Sequence, residues 1–287
     1  MFSLSNSFLR VEIAAKGAEL CSVKSNGGVE YLWQASEAVW ARHAPVLFPI
    51  VGKLKNNTYY FENTSYELPQ HGFARDMMFD AVQTSETEIV FTLTSTAQTQ
   101  QNYPLQFLFK ISYRLNNNSI VVNYTVKNAD TKALYYSVGA HPGFNCPLLP
   151  NEKFSDYYLQ FERSEFEITL LQEGLLSQSK KPLVVQKGVL PLNHTLFDND
   201  ALIFEGNQIN AVELCSTSNK HKVRIECKNW PYFGIWSKKG SSNFVCLEPW
   251  YGIADSFGTD QQFIGKKGIQ CLQLGQIAEH SFEMSFF

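Results

Sequence analysis

The sequence SIVVNYTVKN, residues 119–128, alternates apolar and polar side chains along its length. One face carries four large apolar side chains: Ile120, Val122, Tyr124 and Val126. The preceding segment LQFLFKISYRL, residues 105–115, alternates in the same way, and three asparagines at 116–118 separate the two. A period of two residues is typical of strands that bury one face. These segments therefore predict strands of an antiparallel β protein.

The same alternation recurs in residues 88–96 and 221–228, whereas helical windows are few. The best helical window is SEAVWARHA, residues 36–44, which is long enough for two or three turns at most. The polar segment STAQTQQNY, residues 95–103, is interpreted as a hairpin loop. Neither a linker-like stretch nor an internal repeat divides the chain. We predict an all-β protein with less than about 15% helix, in which residues 1–287 form one domain.

Composition excludes several classes of protein. Hydrophobic residues make up 44% of the 287 residues, which is enough for a large core, and the net charge is −3 without any basic run. A nucleic-acid-binding protein would carry a basic patch. The first residues do not resemble a signal peptide, and no apolar run approaches the ~18 residues of a membrane-spanning helix. Six scattered cysteines without a CxxC motif indicate free thiols rather than a zinc site. We expect a cytoplasmic protein with no membrane, nucleic-acid or metal partner.

Two of the six histidines stand in unusual surroundings. His71 lies in PQHGFARD, between a proline and a glycine, so it is expected at a loop or a strand end. His141 lies in SVGAHPGFN, directly after an apolar strand pattern. Pro142 disfavours helical backbone at His141, and the two nearby glycines remove side-chain bulk. Each histidine is therefore a candidate for a cleft, although a structural role remains open for both.

Glu248 follows four apolar residues in FVCLEPWYG. Pro249 favours an extended backbone at the glutamate, and aromatic residues come next. A carboxylate in such surroundings is expected to lose hydration, which raises its pKa and makes it a competent base near neutral pH. The alternative is a glutamate that pairs with a nearby lysine or arginine.

Two histidines and a carboxylate, with no nucleophile motif or phosphate loop, indicate proton transfer on a small polar molecule. Three aromatic residues offer flat apolar faces on which the C–H face of a sugar can pack: Phe144, Trp236 and Trp250. Core packing is the alternative for each of them.

Four motifs occur in an order that resembles the aldose 1-epimerase (galactose mutarotase-like) family, and its bacterial mutarotase-like branch in particular. They are APVLFPIVGKL, LPQHGFARD, GAHPGFN and CLEPWYG, and they span residues 44–252. The resemblance implies a large antiparallel β-sandwich of the supersandwich type, with a cleft on one sheet. It also implies a reaction that interconverts the α and β anomers of an aldose.

In that family a glutamate takes the proton of the C1 hydroxyl while a histidine protonates the ring oxygen. The ring opens, rotates about C1–C2 and closes on the other anomer. The resemblance assigns Glu248 as the base, His141 as the acid and His71 as a second histidine near the ring oxygen or the C1 oxygen. No metal or other cofactor is implied.

The sequence departs from the family pattern at the first motif, where Lys53 stands in place of a frequent arginine. Arg42 and Arg75 are candidates to supply planar recognition of the substrate instead. The family aspartate that binds sugar hydroxyls matches Asp200, with Asp198 as a second candidate. A cluster of Lys53 and the two arginines would suit a phosphorylated sugar. The alternative is that these residues form surface salt bridges.

Three functions therefore stay open at this stage. The first is a hexose mutarotase, the second is a hexose-phosphate mutarotase, and the third is a non-catalytic carbohydrate-binding protein. A matched acid and base argue against the third, because binding alone does not require them. The expected partner is a small sugar or sugar phosphate, and the expected assembly is a monomer or a homodimer.

Overall fold

Antiparallel strands dominate the computed structural model, which describes residues 1–240 and 243–287. Strands account for about 51% of the residues and helices for about 6%, which confirms the all-β prediction. All six cysteines are free thiols, and four of them are buried.

The strands in chain order are β1 Phe2–Ser5, β2 Leu9–Ile13, β3 Leu20–Ser25, β4 Val46–Leu47, β5 Thr58–Phe61, β6 Thr64–Glu67, β7 Asp80–Ser85, β8 Glu88–Thr94, β9 Phe107–Asn116, β10 Ser119–Asn128, β11 Leu134–Tyr136, β12 Val138–Ala140, β13 Gly143–Asn145, β14 Tyr157–Phe161, β15 Glu165–Gln172, β16 Leu175–Val184, β17 Val189–Pro191, β18 Leu202–Glu205, β19 Ala211–Ser216, β20 Lys222–Glu226, β21 Tyr232–Trp236, β22 Phe244–Tyr251, β23 Gln270–Leu272 and β24 Ile277–Phe286. The helix α1 spans Ala97–Asn102, and short 3₁₀ turns span Lys55–Asn57, Ala74–Asp76, Phe154–Asp156 and Phe263–Gly265.

Two large sheets form the body of the molecule. The nine-stranded sheet has the order β17-β14-β19-β20-β24-β10-β9-β8-β7. The eight-stranded sheet has the order β16-β15-β18-β21-β22-β12-β4, and β13 also pairs with β22. Smaller sheets are formed by β1-β2-β3, β5-β6 and β11-β23. One hydrophobic cluster includes inward side chains of both large sheets, such as Ile111 of β9 and Leu247 of β22.

The alternating segments of the sequence form the centre of the nine-stranded sheet. β9 and β10 pair in register from Phe107 opposite Asn128 to Asn116 opposite Ser119. Ile120, Val122, Tyr124 and Val126 are all buried on one face of β10, as the alternation requires. Burying an aliphatic or aromatic side chain of this kind contributes about 1.5–3 kcal/mol, so the alternation fixes which face of each strand meets the core.

The eight-stranded sheet carries the site because β22 lies at its middle. β12 pairs with the end of β22, with Gly139 opposite Trp250, and β13 pairs with its beginning, with Gly143 opposite Cys246. Between these pairings the neighbouring strand is interrupted at His141 and Pro142. The interruption falls beside Glu248 and Pro249, and a proline, which has no N–H to donate, is tolerated where strand pairing is broken.

The window at residues 36–44 forms a turn with a bridge between Ser36 and Trp40, so the prediction of a short helix there was wrong. Several backbone N–H and C=O groups of this window form hydrogen bonds with side chains outside it. The Glu19 carboxylate accepts from the N–H groups of His43 and Ala44. The carbonyl of Trp40 accepts from the Trp33 indole. Nine residues are too few for a helix to form without tertiary support, and here the tertiary contacts support a turn.

The segment at residues 95–103 connects the paired strands β8 and β9, as a hairpin loop does, but it contains the helix α1. Thr96 caps this helix by accepting from the backbone N–H of Thr99, whose hydroxyl accepts from the N–H of Thr96 in return. This reciprocal capping allows a six-residue polar segment to be helical. Across residues 1–240 and 243–287, no helix has the length and apolar character needed to cross a membrane.

Candidate active site

A cleft opens on the eight-stranded sheet, beside the interruption between β12 and β13. Its volume is about 250 Å³, slightly below the roughly 300–1,000 Å³ of pockets for drug-sized ligands, which suits a molecule as small as a monosaccharide. Seven residues singled out from the sequence line this cleft: His71, Arg75, His141, Asp200, Trp236, Glu248 and Trp250.

Glu248 and His141 meet at the base of the cleft. His141 Nε2 lies 3.1 Å from Glu248 Oε2, and both side chains are almost fully buried. The contact is short but is not aligned as a hydrogen bond, so Glu248 Oε2 and the other imidazole nitrogen of His141 have no hydrogen-bond partner in the described residues. A buried polar atom without a partner is costly, so these two groups are expected to serve a ligand.

Burial changes the acidity of both groups in opposite directions. It raises the pKa of Glu248 well above the usual range of a carboxyl group, and the negative charge of Asp200 adds to this effect. Burial lowers the pKa of His141 to about 3, and the charges of Arg75 and Arg42 act in the same direction. Low polarity disfavours the charged form of each group. One proton shared by the two, with no net charge, is therefore the favoured state of the pair.

His71 stands beside this pair. Its ring meets the His141 ring edge-on, with the ring centroids 5.4 Å apart. The backbone N–H of Gly52 donates to His71 Nδ1 at 3.1 Å. Burial lowers the pKa of His71 well below the usual histidine range. Electrostatic repulsion from His141, Arg75 and Arg42 acts in the same direction.

Two tryptophans form an aromatic wall of the cleft. The ring of Trp40 lies 5.1 Å from that of His141, and the ring of Trp236 meets both at 5.7 Å and 5.8 Å. Trp250 also lines the cleft. Phe144, the third aromatic candidate, lies fully buried in the core instead, because it points to the other face of β13. Trp40 was missed as a site residue because its window was interpreted as a helix.

Asp200 lies at the edge of the cleft, two residues before the start of β18. Its backbone has a positive φ of 76°, and its carboxylate accepts from the backbone N–H of Ala201. The negative charge of Asp200 raises the pKa of Glu248. Asp198, the second candidate, lies outside the cleft near Lys239, whose amine donates to the Asp198 carbonyl. Of the two aspartates, the structure brings only Asp200 to the site.

Of the three basic candidates, only Arg75 lines the cleft. Its buried Nε has no hydrogen-bond partner among the described residues, and another of its nitrogens donates to the Gln70 carbonyl at 2.6 Å. Arg42 does not line the cleft and pairs with Asp76 at 3.0 Å. Asp76 also lies 3.8 Å from Arg75 Nε. The Asp76 carboxylate therefore faces two guanidinium groups, and the charge of Glu19 also acts on Arg75.

Lys53 differs from expectation, because it is not among the residues that line the cleft. Its amine donates to the backbone carbonyl of Glu173 at 3.1 Å, next to Gly174 at the β15–β16 turn. Gly174 needs its positive φ of 79° for that turn, and a Cβ there would lie 3.3 Å from the Lys53 side chain. Lys53 therefore supports one wall of the cleft and does not reach a ligand from this position.

A buried ion pair stabilises the same wall. Lys266 donates to the carboxylate of Asp255 at 3.0 Å and to the carbonyl of Ile253 at 2.6 Å, and both charged side chains are almost inaccessible. Ile253 and Ala254 line the cleft. No sequence pattern predicted this pair, because its members lie eleven residues apart in a segment without regular alternation.

Three potential metal ligands lie together at the base of the cleft: His141, Cys246 and Glu248, whose donor atoms are all within 4.8 Å of one another. Burial and the neighbouring Glu248 raise the pKa of the Cys246 thiol. A metal binds the thiolate, so it would have to displace this proton on binding.

The family model described as aldose 1-epimerase matches residues 1–266 of the chain. The chromosomal protein LacX of Lactococcus lactis subsp. lactis is 34% identical over 263 residues, which is 88% of each chain.

Solved structures agree with this match. A galactose mutarotase related enzyme from Lactobacillus acidophilus superposes with a TM-score of 0.95 at 37% identity, over 100% of this chain and 97% of that one. A galactose mutarotase-like protein from Lactobacillus casei ATCC 334 superposes with a TM-score of 0.92 at 29% identity, over the whole of both chains. The fold is therefore that of the galactose mutarotase-like structures.

Proposed function

The chain belongs to the aldose 1-epimerase family, and from this premise we propose that it is a mutarotase that interconverts the α and β anomers of a hexose. Glu248 acts as the base on the C1 hydroxyl, and His141 acts as the acid on the ring oxygen. His71 and Asp200 bind the sugar, and Trp40 and Trp236 pack against its C–H face. No part of this reaction requires a cofactor.

One observation carries the proposal: His141 Nε2 and Glu248 Oε2 lie 3.1 Å apart at the base of a cleft of monosaccharide size. Mutarotation needs one proton to leave the C1 oxygen while another reaches the ring oxygen. A carboxylate and an imidazolium perform both transfers, and they end with the proton on the carboxyl group. The pair therefore holds one proton at the start and one at the end, and ring closure on the other anomer reverses the transfers.

The favoured resting state of the empty cleft has this proton on Glu248, because burial disfavours both charges. The reactive state has Glu248 ionised and His141 protonated, with the same net charge. The proton needs to move only between two neighbouring atoms, without exchange with solvent. The hydroxyl groups of a bound sugar stabilise the resulting charges, because they donate to the carboxylate and accept from the imidazolium.

The direct test is anomer exchange by NMR or polarimetry on freshly dissolved α-D-glucose and α-D-galactose. The rate of equilibration should rise in proportion to the protein concentration. Binding of these sugars without any acceleration would favour the non-catalytic carbohydrate-binding protein instead.

A second candidate, a mutarotase of hexose phosphates, is favoured by Arg75. Its guanidinium lines the cleft with a buried Nε that has no partner in the described residues. Burial lowers the pKa of Arg75, and the charge of Arg42 adds to this effect, whereas the carboxylates of Asp76 and Glu19 oppose it. A phosphate would supply the missing anion.

The same exchange assay separates the two candidates when it includes glucose 6-phosphate and galactose 6-phosphate. A phosphate-binding cleft should prefer the phosphorylated sugars, and the preference should weaken at high salt because the contact is ionic. In the Arg75→Gln variant the preference should disappear. Equal rates for free and phosphorylated sugars in the wild-type protein would remove this candidate.

A further inference from the structure

We propose that His71 is held as the neutral tautomer with its proton on Nε2, and that it acts on the sugar as a fixed hydrogen-bond donor that keeps its proton throughout the reaction. The donor role rests on the proposed function, whereas the position of the proton follows from the contacts of the ring alone.

The position of the proton follows from one hydrogen bond. The N–H of Gly52 donates to His71 Nδ1 at 3.1 Å inside the protein. A backbone N–H can only donate, so Nδ1 must present a lone pair to it. A neutral imidazole with a lone pair on Nδ1 carries its proton on Nε2. Nε2 has no hydrogen bond within the described residues, and His71 lines the cleft, so this N–H is the group offered to a ligand.

The backbone leaves the ring little freedom to reverse this arrangement. The N–H of His71 donates to the Gly52 carbonyl at 2.9 Å, so the two residues are joined by a reciprocal pair of hydrogen bonds. His71 itself has a positive φ of 67°. Gly52 has a φ of 75°, and a Cβ there would lie 2.6 Å from Ala254. Both the acceptor and its donor are therefore fixed by the packing of the loops.

The electrostatic surroundings also disfavour a second proton on the ring. The titratable and charged groups around it are His141, Glu248, Asp200, Arg75 and, farther out, Arg42. Among these groups, His141, Arg75 and Arg42 influence the pKa of His71, and all three lower it. A protonated Nδ1 would in addition point at the N–H of Gly52.

Under this assignment His71 and His141 have different roles in the reaction. His141 and Glu248 move the proton, whereas His71 stabilises the negative charge that develops on a sugar oxygen as the ring opens. A pre-oriented donor does this without any change of its own charge. The ionisation of His71 should consequently leave no limb in the pH–rate profile.

The proton position is tested by ¹⁵N NMR of the ring nitrogens in the full-length protein labelled on histidine, with the signal of His71 identified by its loss in the His71→Gln variant. We expect Nδ1 to be unprotonated and Nε2 protonated from about pH 8 to pH 5, because unperturbed histidine titrates near 6.5. A protonated Nδ1 anywhere in this range would overturn the assignment.

The donor role is tested by a matched pair of variants. His71→Gln places its amide nitrogen near the position of Nε2, whereas His71→Asn places its amide near Nδ1 and leaves the cleft without a donor. The kcat for anomer exchange should stay within about tenfold of wild type for His71→Gln and fall about 10²–10³-fold for His71→Asn. Asparagine tolerates a positive φ well, so backbone strain does not explain a loss in that variant.

A proton-transfer role for His71 predicts a different result, since neither amide can transfer a proton and both variants should lose activity equally. If no sugar is turned over, the NMR measurement on the wild-type protein still decides the tautomer. Titration with D-galactose then decides the donor role: a shift of the Nε2 signal supports it, and an unchanged signal overturns it.

Discussion

At the scale of single residues, the proposed chemistry depends on how Glu248 and His141 share one proton. Each group taken alone is shifted towards its neutral form by burial. Because their reactive atoms are 3.1 Å apart, they titrate as a pair, and the apparent pKa values belong to the pair rather than to either residue. Two predictions follow from this coupling.

The first concerns the loss of either partner. Glu248→Gln keeps the shape of the side chain but removes the base, so anomer exchange should fall by about 10²–10⁴-fold while sugar still binds. His141→Asn should give a loss of similar size. The double variant should be little worse than either single variant, because the two groups act as one unit. Calorimetry and the NMR exchange assay measure the two quantities. Normal turnover in Glu248→Gln would show that this residue is only structural.

The second prediction concerns pH. The active pair holds one proton, so activity is lost when a second proton binds or when the last one leaves. The lowered pKa of His141, about 3, places the acid limb well below 6.5, and the raised pKa of Glu248 sets the alkaline limb. The rate should therefore be flat from about pH 5 up to that alkaline limb. An acid limb near pH 6.5 in the measured kcat/KM would contradict the coupling.

At the scale of elements, the cleft wall is joined by hydrogen bonds to Asp255. Its backbone N–H donates to the Lys53 carbonyl, and its own carbonyl accepts from the N–H of Leu176 at the start of β16. Its carboxylate accepts from the N–H of Lys55 at 3.0 Å and from Lys266. Three segments that are distant in sequence are thus held together by one buried aspartate.

Substitution of Lys266, the cationic partner of Asp255, tests this arrangement. Lys266→Met leaves the charge of Asp255 buried without its cation, which should lower the free energy of unfolding by about 3–5 kcal/mol. The double variant Lys266→Met/Asp255→Asn should lose less, because no uncompensated charge is left. Urea unfolding at neutral pH compares the two. Since Ile253 and Ala254 line the cleft, KM should rise in the single variant more than kcat falls. Equal stability of both variants would argue against a role for the ion pair.

At the scale of the whole molecule, buried titratable groups link stability to pH. His71, His141 and His280 are each only 8% exposed. Burial lowers the pKa of His280 to about 4 and that of the other two below the histidine range. The unfolded chain takes up three protons at these positions below pH 6.5, whereas the folded protein does not. Glu248 acts in the opposite sense, because its raised pKa keeps a proton in the folded state.

The free energy of unfolding should therefore fall as the pH drops from 6.5 to 5. Three histidine protons bound by the unfolded chain, less one carboxyl proton bound by the folded protein, leave a difference of two. The slope should approach about 3 kcal/mol per pH unit. Urea titrations at several pH values measure it. In Glu248→Gln the opposing proton is absent, so the slope should steepen towards about 4 kcal/mol per unit. A flat dependence in the wild-type protein would be inconsistent with three buried neutral histidines.

Local sequence by itself determined the fold class and the strands of the centre. In residues 105–128 the alternation of apolar side chains is a property of neighbouring residues, so the buried face of β9 and β10 could be derived directly. The motifs around His71, His141 and Glu248 were also visible, because prolines or glycines stand close to each of them in the sequence. Their resemblance to one family supplied the fold and an expected set of site residues.

Only the tertiary structure decided which side chains share the cleft. The N–H of Gly52 donates a hydrogen bond to His71, and the ring of Trp40 packs on His141. Arg42 forms a salt bridge with Asp76 and does not line the cleft. Lys53 binds the carbonyl of Glu173, 120 residues away in the chain. Each outcome depends on strand register and on partners that are far apart in the sequence, and no local pattern encodes either. A residue type indicates which chemistry is available, but the distance between two atoms is set only when the sheets have paired and packed.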